Sequence, residues 1–222
     1  MTFHISPLSS EFRLYGGAYI SDIDEDLLPE VSLALAICTY RREDYIARTM
    51  KTLEEGVFSN PNSILHGKIK AYISDNGNTL KAEDFNAEYV SLFPNMNSGG
   101  SGGFSRAAIE AMHDNGFKPT NIILMDDDIQ FEVDAIERTY TFLRMLKPKY
   151  HIHMLGGAMF RTDRRNIQHA AGETYTLNGI IFNKVDYNMN GLRDVLRNEV
   201  EERINYFGWW YCSVPANLFE KA

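Results

Sequence analysis

The hydrophobic residues of this chain fall into short apolar runs that alternate with segments of helical periodicity. An apolar run of about four to eight residues, bounded by polar turns, is typical of a strand that is buried on both faces. Apolar residues three and four positions apart, as at Ile46, Met50 and Leu53, indicate an amphipathic helix. The predicted strands are 31–38, 69–74, 88–93 and 121–125, and the predicted helices are 43–55, 104–115 and 133–146.

Strands that alternate with helices predict an α/β fold, in which a mostly parallel, twisted sheet carries helices on both faces. The alternation of strands and helices ends in the second half of the chain. Two further strand-like runs, 152–160 and 173–182, precede a polar region at 186–206 that is predicted to be partly helical.

The first 30 residues follow neither pattern, and we interpret them as an N-terminal extension. An acidic stretch with a proline, residues 22–30, indicates a linker. A short irregular or hairpin segment is predicted before it, at Phe12, Leu14, Tyr15, Gly16, Gly17 and Tyr19.

Polar loops follow four of the predicted strands, at the point where each strand ends. They are 39–42, 75–78, 97–103 and 126–128. The carboxyl ends of parallel strands lie at one edge of an open α/β sheet, which is where such sheets bind ligands. We therefore expect an arginine, a carboxylate, a glycine-rich loop and an acidic cluster to gather around one ligand, such as a nucleoside diphosphate.

Three consecutive aspartates, Asp126, Asp127 and Asp128, follow the apolar run 122–125. They cannot all be buried and ionised, because repulsion adds to a desolvation cost of several kcal/mol each. Hard carboxylate oxygens suit Mg²⁺ or Mn²⁺ that carries the phosphates of a substrate. We expect Asp128, assisted by Asp126, to bind that ion. The alternative is a solvated helix N-terminus, which acidic residues also favour.

The glycine-rich stretch 97–103 is a second candidate for binding an anion. Paired glycines allow the backbone to approach a ligand closely, and amides at the start of the following helix can face a phosphate. The stretch lacks the Gly-Lys-Ser/Thr ending of a P-loop and the strict G-x-G-x-x-G spacing. The alternative is a plain flexible turn.

Arg42, Asp75 and the tryptophan pair each have two interpretations. Arg42 is either a surface ion-pair partner or a contact to the base or diphosphate of a nucleotide. Asp75 either caps its own turn or accepts from a uracil or ribose group. Trp209 and Trp210 either both belong to the core or present one ring to a sugar.

Composition and charge narrow the function classes. The chain has 222 residues, 44% of them hydrophobic, which is enough for one large domain with a sizeable core. Its net charge of −8 argues against non-specific nucleic-acid binding. The sequence shows no signal peptide and no apolar run as long as a membrane span. Cys38 and Cys212 are expected to be free thiols, which fits a cytoplasmic location.

Six motifs, in their order along the chain, resemble the inverting glycosyltransferases of family two, which have the A-type nucleotide-sugar-binding fold. The chain looks most like the galactofuranosyltransferases that build galactan from UDP-galactofuranose. The glycine-rich stretch and the triple aspartate in one chain are specific to that subgroup. The motifs lie between about residues 31 and 215, at Ile37 to Arg42, Asp75 to Gly77, Asn97 to Arg106, Asp126 to Asp128, Gly156 to Met159 and Gly208 to Trp210.

The resemblance implies a metal-dependent, inverting transfer of a hexosyl unit, in particular galactofuranosyl, from a UDP-sugar to a carbohydrate acceptor. It implies that Arg42 and Asp75 contact the uridine, and that Asp126 and Asp128 hold Mn²⁺ or Mg²⁺ on the diphosphate. The predicted donor-binding residues are Thr39, Arg42, Asp75, Asn97, Gly99, Gly100, Gly102, Gly103, Asp126 and Asp127.

The resemblance also divides the chain into parts. Residues 31–130 would be the Rossmann-like, nucleotide-sugar-binding half. Residues 131–222 would be an incomplete acceptor-side half, in which Trp209 and Trp210 line the acceptor-sugar site. Residues 1–30 would be an extension, or the remnant of a β-rich domain with a linker.

The family's catalytic base, an acidic residue, lies beyond the tryptophan pair. The base is therefore expected beyond Ala222, and the chain is expected to be C-terminally truncated and inactive as given. A truncated domain would expose apolar surface, and this surface would favour a homo-oligomer. The full-length protein would be cytoplasmic or lie peripherally at the inner face of the membrane.

Two other functions stay open. A nucleotidyltransferase also uses an α/β sheet and paired aspartates, but it normally has a basic glycine-rich loop after the first strand, where this chain has residues 39–42. A non-catalytic module that binds sugar or nucleotide is the second alternative, which the lack of a base before Ala222 favours.

Overall fold

The predicted alternation of strands and helices is present in a computed structural model, which describes residues 6, 8–16, 20, 22–200 and 204–221. The strands are β1 (Leu33–Thr39), β2 (Ile69–Asp75), β3 (Val90–Pro94), β4 (Asn121–Asp126), β5 (Leu155–Gly156), β6 (Met159–Phe160), β7 (Ile167–Ala170), β8 (Glu173–Thr176), β9 (Gly179–Phe182), β10 (Tyr187–Asn188) and β11 (Tyr211–Pro215). The helices are α1 (Glu43–Leu53), α2 (Gly99–His113), α3 (Val133–Met145), α4 (Leu192–Asn198) and α5 (Ala216–Phe219). A π-helical turn, Glu54–Phe58, extends α1, and 3-10 segments occur at Glu25–Leu27, Ala82–Asp84 and Pro148–Tyr150.

The central sheet has six strands in the order β3-β2-β1-β4-β11-β5. Strands β1 to β4 are parallel to one another, whereas β11 runs antiparallel between β4 and β5. Every residue of β1 except Cys38 is buried, because strands on both sides and helices on both faces cover it. The predicted α/β fold with a mostly parallel sheet is therefore confirmed.

Alternate side chains of the central strands face two separate hydrophobic cores. On one face, large side chains of β1 such as Leu35 and Ile37 pack with α1 and α3. On the other face, Ala34 and Ala36 pack with α2. The small alanine side chains leave room for α2 to lie close to β1, and helices cover both faces as predicted.

The prediction of a loop over 97–103 is confirmed for 97–98 and wrong for 99–103, because α2 begins at Gly99. Glycine has a low helix propensity, but close packing between α2 and β1 requires it here. A Cβ atom at Gly103 would lie only 2.1 Å from the Sγ atom of Cys38. Tertiary packing therefore overrides the local propensity, and the glycines form the first turn of the helix.

Two strand predictions in the second half are corrected by the pairing of the strands. The run 152–160 contains two short strands, β5 and β6, because they pair with β11 and β7 in different sheets. The run 173–182 is a hairpin of β8 and β9. Gly179, the first residue of β9 after the turn, has a φ of 125°, a backbone conformation that only glycine adopts readily. The predicted helix within 186–206 is present as α4.

The N-terminal prediction is only partly covered by the structure. The described residues of the predicted hairpin segment form no strand. The linker at 22–30 is held by Arg144, which donates to the carbonyl oxygens of Glu25 and Pro29 at 3.2 and 3.3 Å. The residues without a strand are Phe12, Leu14, Tyr15 and Gly16, whereas Gly17 and Tyr19 lie outside the described residues.

Two expectations drawn from composition can be compared with the structure. Cys38 and Cys212 are free thiols, as predicted. Burial raises the pKa of Cys38 to about 11 and that of Cys212 to about 12, so both thiols are protonated at neutral pH. Within the described part of the chain, no helix has the length and apolar character needed to cross a bilayer.

We expect Gly103→Ala to lower the free energy of unfolding by about 1–3 kcal/mol, because the added methyl group overlaps Cys38 and forces α2 or β1 to shift. Gly100→Ala is the matched control, since a Cβ atom there would meet open space and alanine favours a helix. Urea denaturation of both variants measures the difference. Equal stability of the two variants would contradict the packing role of Gly103.

Candidate functional site

The carboxyl ends of the parallel strands meet at one edge of the sheet. Thr39 at the end of β1 pairs with Asp75 at the end of β2, and Cys38 pairs with Asp126 on the other side. Asp75 in turn pairs with Pro94 at the end of β3. The loops that follow these four strands therefore lie at a common edge, as parallel pairing requires.

Asp127 is the buried member of the aspartate triplet, with 6% of its surface exposed. Its Oδ2 atom accepts a hydrogen bond of 2.7 Å from the hydroxyl of Thr39, and its Oδ1 atom accepts one of 2.9 Å from Arg42. These two donors compensate the buried charge and join the end of β4 to the loop after β1. Direct contact of Thr39 or Asp127 with a donor stays a prediction.

Arg42 bridges two aspartates. The Nη1 atom that contacts Asp127 also lies 2.5 Å from Oδ2 of Asp128. The carboxylate of Asp127, and then that of Asp128, raise the pKa of the Arg42 guanidinium. The side chains of Arg42 and Asp128 are 47% and 43% exposed, so solvent weakens this second ion pair. The structure thus shows Arg42 as an ion-pair partner, and its contact with a nucleotide stays a prediction.

Asp126 lacks a comparable partner. Among the described residues, no side chain donates a hydrogen bond to its carboxylate. Burial, followed by repulsion from Asp128 and Asp127, raises the pKa of Asp126. Added positive charge would therefore stabilise the ionised form of this carboxylate.

The carboxylates at this edge fit a hard divalent cation. Mg²⁺ and Mn²⁺ prefer oxygen ligands, and Mg²⁺ is commonly held by one or two carboxylates together with water and substrate phosphates. Asp126, to which no described side chain donates a hydrogen bond, and the exposed Asp128 offer that set. No group of three or more His, Cys, Asp or Glu side chains in the described ranges is arranged to hold a metal. An ion here would thus need ligands from water or substrate as well.

Asp75 closes the turn after β2. It is 1% exposed, and its two oxygens accept hydrogen bonds from the backbone amides of Gly77, Thr79 and Leu80 at 2.9, 2.7 and 2.8 Å. The structure therefore shows the turn-capping role. A contact of Asp75 with uridine stays a prediction.

Asn76 has a role that the sequence pattern does not predict. Its amide nitrogen donates to the carbonyl oxygen of Gly99 at 3.1 Å and lies 3.4 Å from Sγ of Cys38. Its oxygen accepts a hydrogen bond of 2.7 Å from Asn95. These contacts hold the start of α2 against the ends of β1 and β2. The Asp-Asn-Gly sequence signals only a turn, so no local signal could have revealed them.

The four glycines of the predicted loop divide into two pairs. A Cβ atom at Gly102 or Gly103 would overlap a neighbouring side chain, whereas one at Gly99 or Gly100 would meet open space. Gly99 has a φ of 73°, and its amide donates to the side chain of Asn97 at 3.2 Å. The open pair at the start of α2 is therefore the part of the stretch that a ligand can approach.

Trp209 and Trp210 lie in a turn before β11. The turn adjoins the triplet, because the carbonyl of Trp210 accepts a hydrogen bond of 3.3 Å from the amide of Asp126. The Trp210 indole donates to the carbonyl of Gly157 at 2.8 Å, and the Trp209 ring meets Phe104 edge-on at 5.5 Å. Each ring is partly buried against one of the cores, and a role in acceptor binding stays a prediction.

A cavity of about 530 Å³ lies between α1 and the segment that follows β2. Its walls include Glu43, Thr79 and Phe85 but no member of the aspartate triplet. The triplet instead faces an open edge, as the exposure of Arg42 and Asp128 shows. A ligand at the triplet would therefore bind along the strand edge and not in this cavity.

Known proteins with related sequences define the class of this one. The family described as glycosyl transferase family 2 matches residues 34–193, which include β1 to β4, α2 and the aspartate triplet. Since this is more than half of the chain, the chain belongs to glycosyltransferase family 2. Its mostly parallel sheet with helices on both faces is consistent with the A-type fold.

Two relatives are named as galactofuranosyltransferases. The chain is similar to galactofuranosyltransferase GlfT2 of Mycolicibacterium smegmatis, with 27% identity over 170 residues that cover 67% of this chain and 25% of the relative. It is also similar to galactofuranosyltransferase GlfT2 of Mycobacterium tuberculosis, with 28% identity over 144 residues that cover 60% of this chain and 22% of the relative. The match thus spans about a quarter of the length of these relatives, and the predicted resemblance is confirmed.

We expect Asp127→Ala to lower the free energy of unfolding by about 2–4 kcal/mol, because it leaves the Thr39 hydroxyl without an acceptor and Arg42 without its buried partner. Asp128→Ala should change it by less than about 1 kcal/mol, since its ion pair is exposed. Chemical denaturation of the two variants tests this difference. Similar losses in both would argue against the separation into a buried and an exposed aspartate.

Proposed function

We propose that this chain is the donor-binding part of a glycosyltransferase that transfers a hexosyl unit from a UDP-sugar to a carbohydrate acceptor. The observation that carries the proposal is the strand edge where Asp126 and Asp128 lie with Arg42, at the ends of β1 and β4. Membership of glycosyltransferase family 2 and similarity to galactofuranosyltransferases support it. The proposed donor is UDP-galactofuranose, and the proposed stereochemical course is inversion.

A diphosphate is strongly negative, so an edge with three carboxylates can accept it only with added positive charge. Arg42 supplies one guanidinium. The amide of Gly100 adds an N–H group, and the start of α2 adds the positive end of the helix dipole. The remaining charge is proposed to come from Mn²⁺ or Mg²⁺ held by Asp126 and Asp128.

When bound, the divalent ion would neutralise the charge that develops on the departing diphosphate. Asp127 is not among its proposed ligands, because Thr39 and Arg42 already engage its two oxygens. Asp127 instead fixes the loop after β1, from which Arg42 reaches the edge. Arg42 is proposed to orient the diphosphate through charge-assisted hydrogen bonds.

The acceptor is proposed to bind beside Trp209 and Trp210, because their turn adjoins Asp126 and tryptophan is a frequent binding anchor. The acceptor side would then lie within residues 131–222, as the proposed division of the chain expects. An inverting transfer needs a general base on the acceptor hydroxyl, opposite the departing UDP. We assign that role to no residue of 22–200 or 204–221.

The proposed cellular setting is cytoplasmic, with peripheral membrane attachment in the whole protein. Free thiols at Cys38 and Cys212 favour a reducing compartment. The net charge of −8 favours small anionic ligands bound at a local site over nucleic acid bound across the surface.

Calorimetric titration with UDP and Mn²⁺ tests the proposal. We expect the parent chain to bind UDP in the presence of Mn²⁺, and Asp128→Ala to weaken that binding at least about tenfold, because one of two proposed metal ligands is lost. Asp134→Ala is the matched control, since it removes an exposed aspartate that pairs with Arg138 within α3. The control should bind as the parent does.

Three results would contradict parts of the proposal. Unchanged binding of UDP and Mn²⁺ by Asp128→Ala would exclude the metal role of the triplet. Release of pyrophosphate from a nucleoside triphosphate and a sugar phosphate would identify a nucleotidyltransferase. Donor binding without any transfer by the full-length protein would favour a non-catalytic module.

A further inference from the structure

We propose that Arg42 is a built-in counter-ion that occupies Asp128 until a diphosphate draws the guanidinium away and frees this carboxylate for a metal. The inference rests on the proposed function and deepens it, because it makes metal and nucleotide bind as a coupled pair. It also gives Asp127 a distinct role, as the fixed partner that Arg42 keeps when it releases Asp128.

One nitrogen atom of Arg42 serves both aspartates. Its Nη1 atom lies 2.9 Å from Oδ1 of Asp127 and 2.5 Å from Oδ2 of Asp128. A divalent ion sits about 2.0–2.6 Å from the carboxylate oxygens that bind it. Two cations this close to one carboxylate repel each other strongly. Arg42 in this position therefore opposes metal binding by Asp128.

The two ends of the bridge differ in their freedom to move. Asp127 is 6% exposed and is also held by the Thr39 hydroxyl at 2.7 Å. The side chain of Asp128 is 43% exposed, and it accepts no hydrogen bond from any other side chain in the described ranges. Arg42 can therefore release Asp128 and remain attached to Asp127.

A diphosphate is a strong competitor for Arg42. Guanidinium–phosphate contacts are charge-assisted and frequently bidentate, and the Arg42 side chain is 47% exposed at the edge where α2 begins. If Arg42 turned toward a phosphate, Asp128 would lose its ion-pair partner while it lies near Asp126, which forms no ion pair within the described ranges. Asp126 and Asp128 would then be available together as ligands for a hard cation.

The two ligands therefore affect each other's affinity. A metal that binds the free protein must displace the guanidinium, whereas a metal that follows the nucleotide finds Asp128 already released. Linkage requires that UDP raises the metal affinity by the same factor as the metal raises the UDP affinity. Part of this increase in affinity comes from direct contact between the metal and the diphosphate. The rest comes from the release of Asp128 by Arg42.

Mn²⁺ binding to the protein without nucleotide isolates the contribution of Arg42. Electron paramagnetic resonance of unbound Mn²⁺ measures the dissociation constants of the parent, Arg42→Gln and Arg41→Gln. Arg41→Gln is the matched control, because it removes the same charge one residue away. Arg41 lies over the ring of Tyr40 at 5.3 Å and forms no ion pair within the described ranges. We expect Arg42→Gln to raise the Mn²⁺ affinity about tenfold, and Arg41→Gln to change it less than about threefold, since exposed charges are screened.

Saturating UDP supplies a second readout. The increase in Mn²⁺ affinity caused by UDP should be smaller in Arg42→Gln than in the parent, because the carboxylate is already free. Nuclear magnetic resonance of the Arg42 guanidinium in the parent needs no variant, and it keeps the test valid if Arg42→Gln does not fold. We expect UDP together with Mg²⁺ to shift this signal, and an unchanged signal with both ligands bound would overturn the inference.

The outcomes separate this inference from the proposed function. Equal Mn²⁺ affinities of the parent and Arg42→Gln, with UDP–Mn²⁺ binding of the parent intact, would overturn the counter-ion role alone. Equal gains in Arg41→Gln and Arg42→Gln would also overturn it, because general charge would then explain the effect. A parent that binds no Mn²⁺ even with UDP would overturn both.

Discussion

Repulsion among the three aspartates at the end of β4 is the constraint on which this edge of the sheet depends. Consecutive side chains point in different directions, so each carboxylate meets a different environment. Asp127 is buried with a hydroxyl and a guanidinium, Asp128 is exposed and shares that guanidinium, and Asp126 is partly buried with a raised pKa. One guanidinium, from Arg42, cannot compensate three carboxylates. The charge that is left over is the physical basis of the proposed cation site, and through it of the proposed diphosphate site.

The position of α2 brings a second element to the same edge. Gly103 has no side chain, which allows the helix to approach Cys38, and Asn76 links the carbonyl of Gly99 to the ends of the neighbouring strands. The open glycines at the start of α2 are consequently held near the strand ends by rigid contacts. The family match over 34–193 contains this helix and the four parallel strands together, so the features that define the class and the candidate donor site occupy one continuous segment.

The second half of the chain contributes to this edge through β11. Since β11 is antiparallel to β4, its first residues lie next to the last residues of β4, and a backbone hydrogen bond joins Asp126 to Trp210. The proposed acceptor side and the proposed metal ligands thus lie at neighbouring ends of two adjacent strands of one sheet. Gly157 fixes the Trp210 ring and Phe104 contacts the Trp209 ring, so the turn is anchored to both halves of the molecule.

Local patterns along the chain were sufficient for the order of the elements and for the edge at which polar loops gather. Unbroken apolar runs such as 122–125 mark buried strands, and strands that alternate with helices favour parallel pairing, which brings the loops together. The same patterns could not distinguish Asp127 from Asp128, could not show that Gly103 belongs to a helix, and could not find Asn76. Thr39 and Asp127 are 88 positions apart, and their hydrogen bond exists because β1 and β4 are neighbours in register. Periodicity reports which face of one element is buried, whereas partners from distant segments depend on how the elements pack against each other.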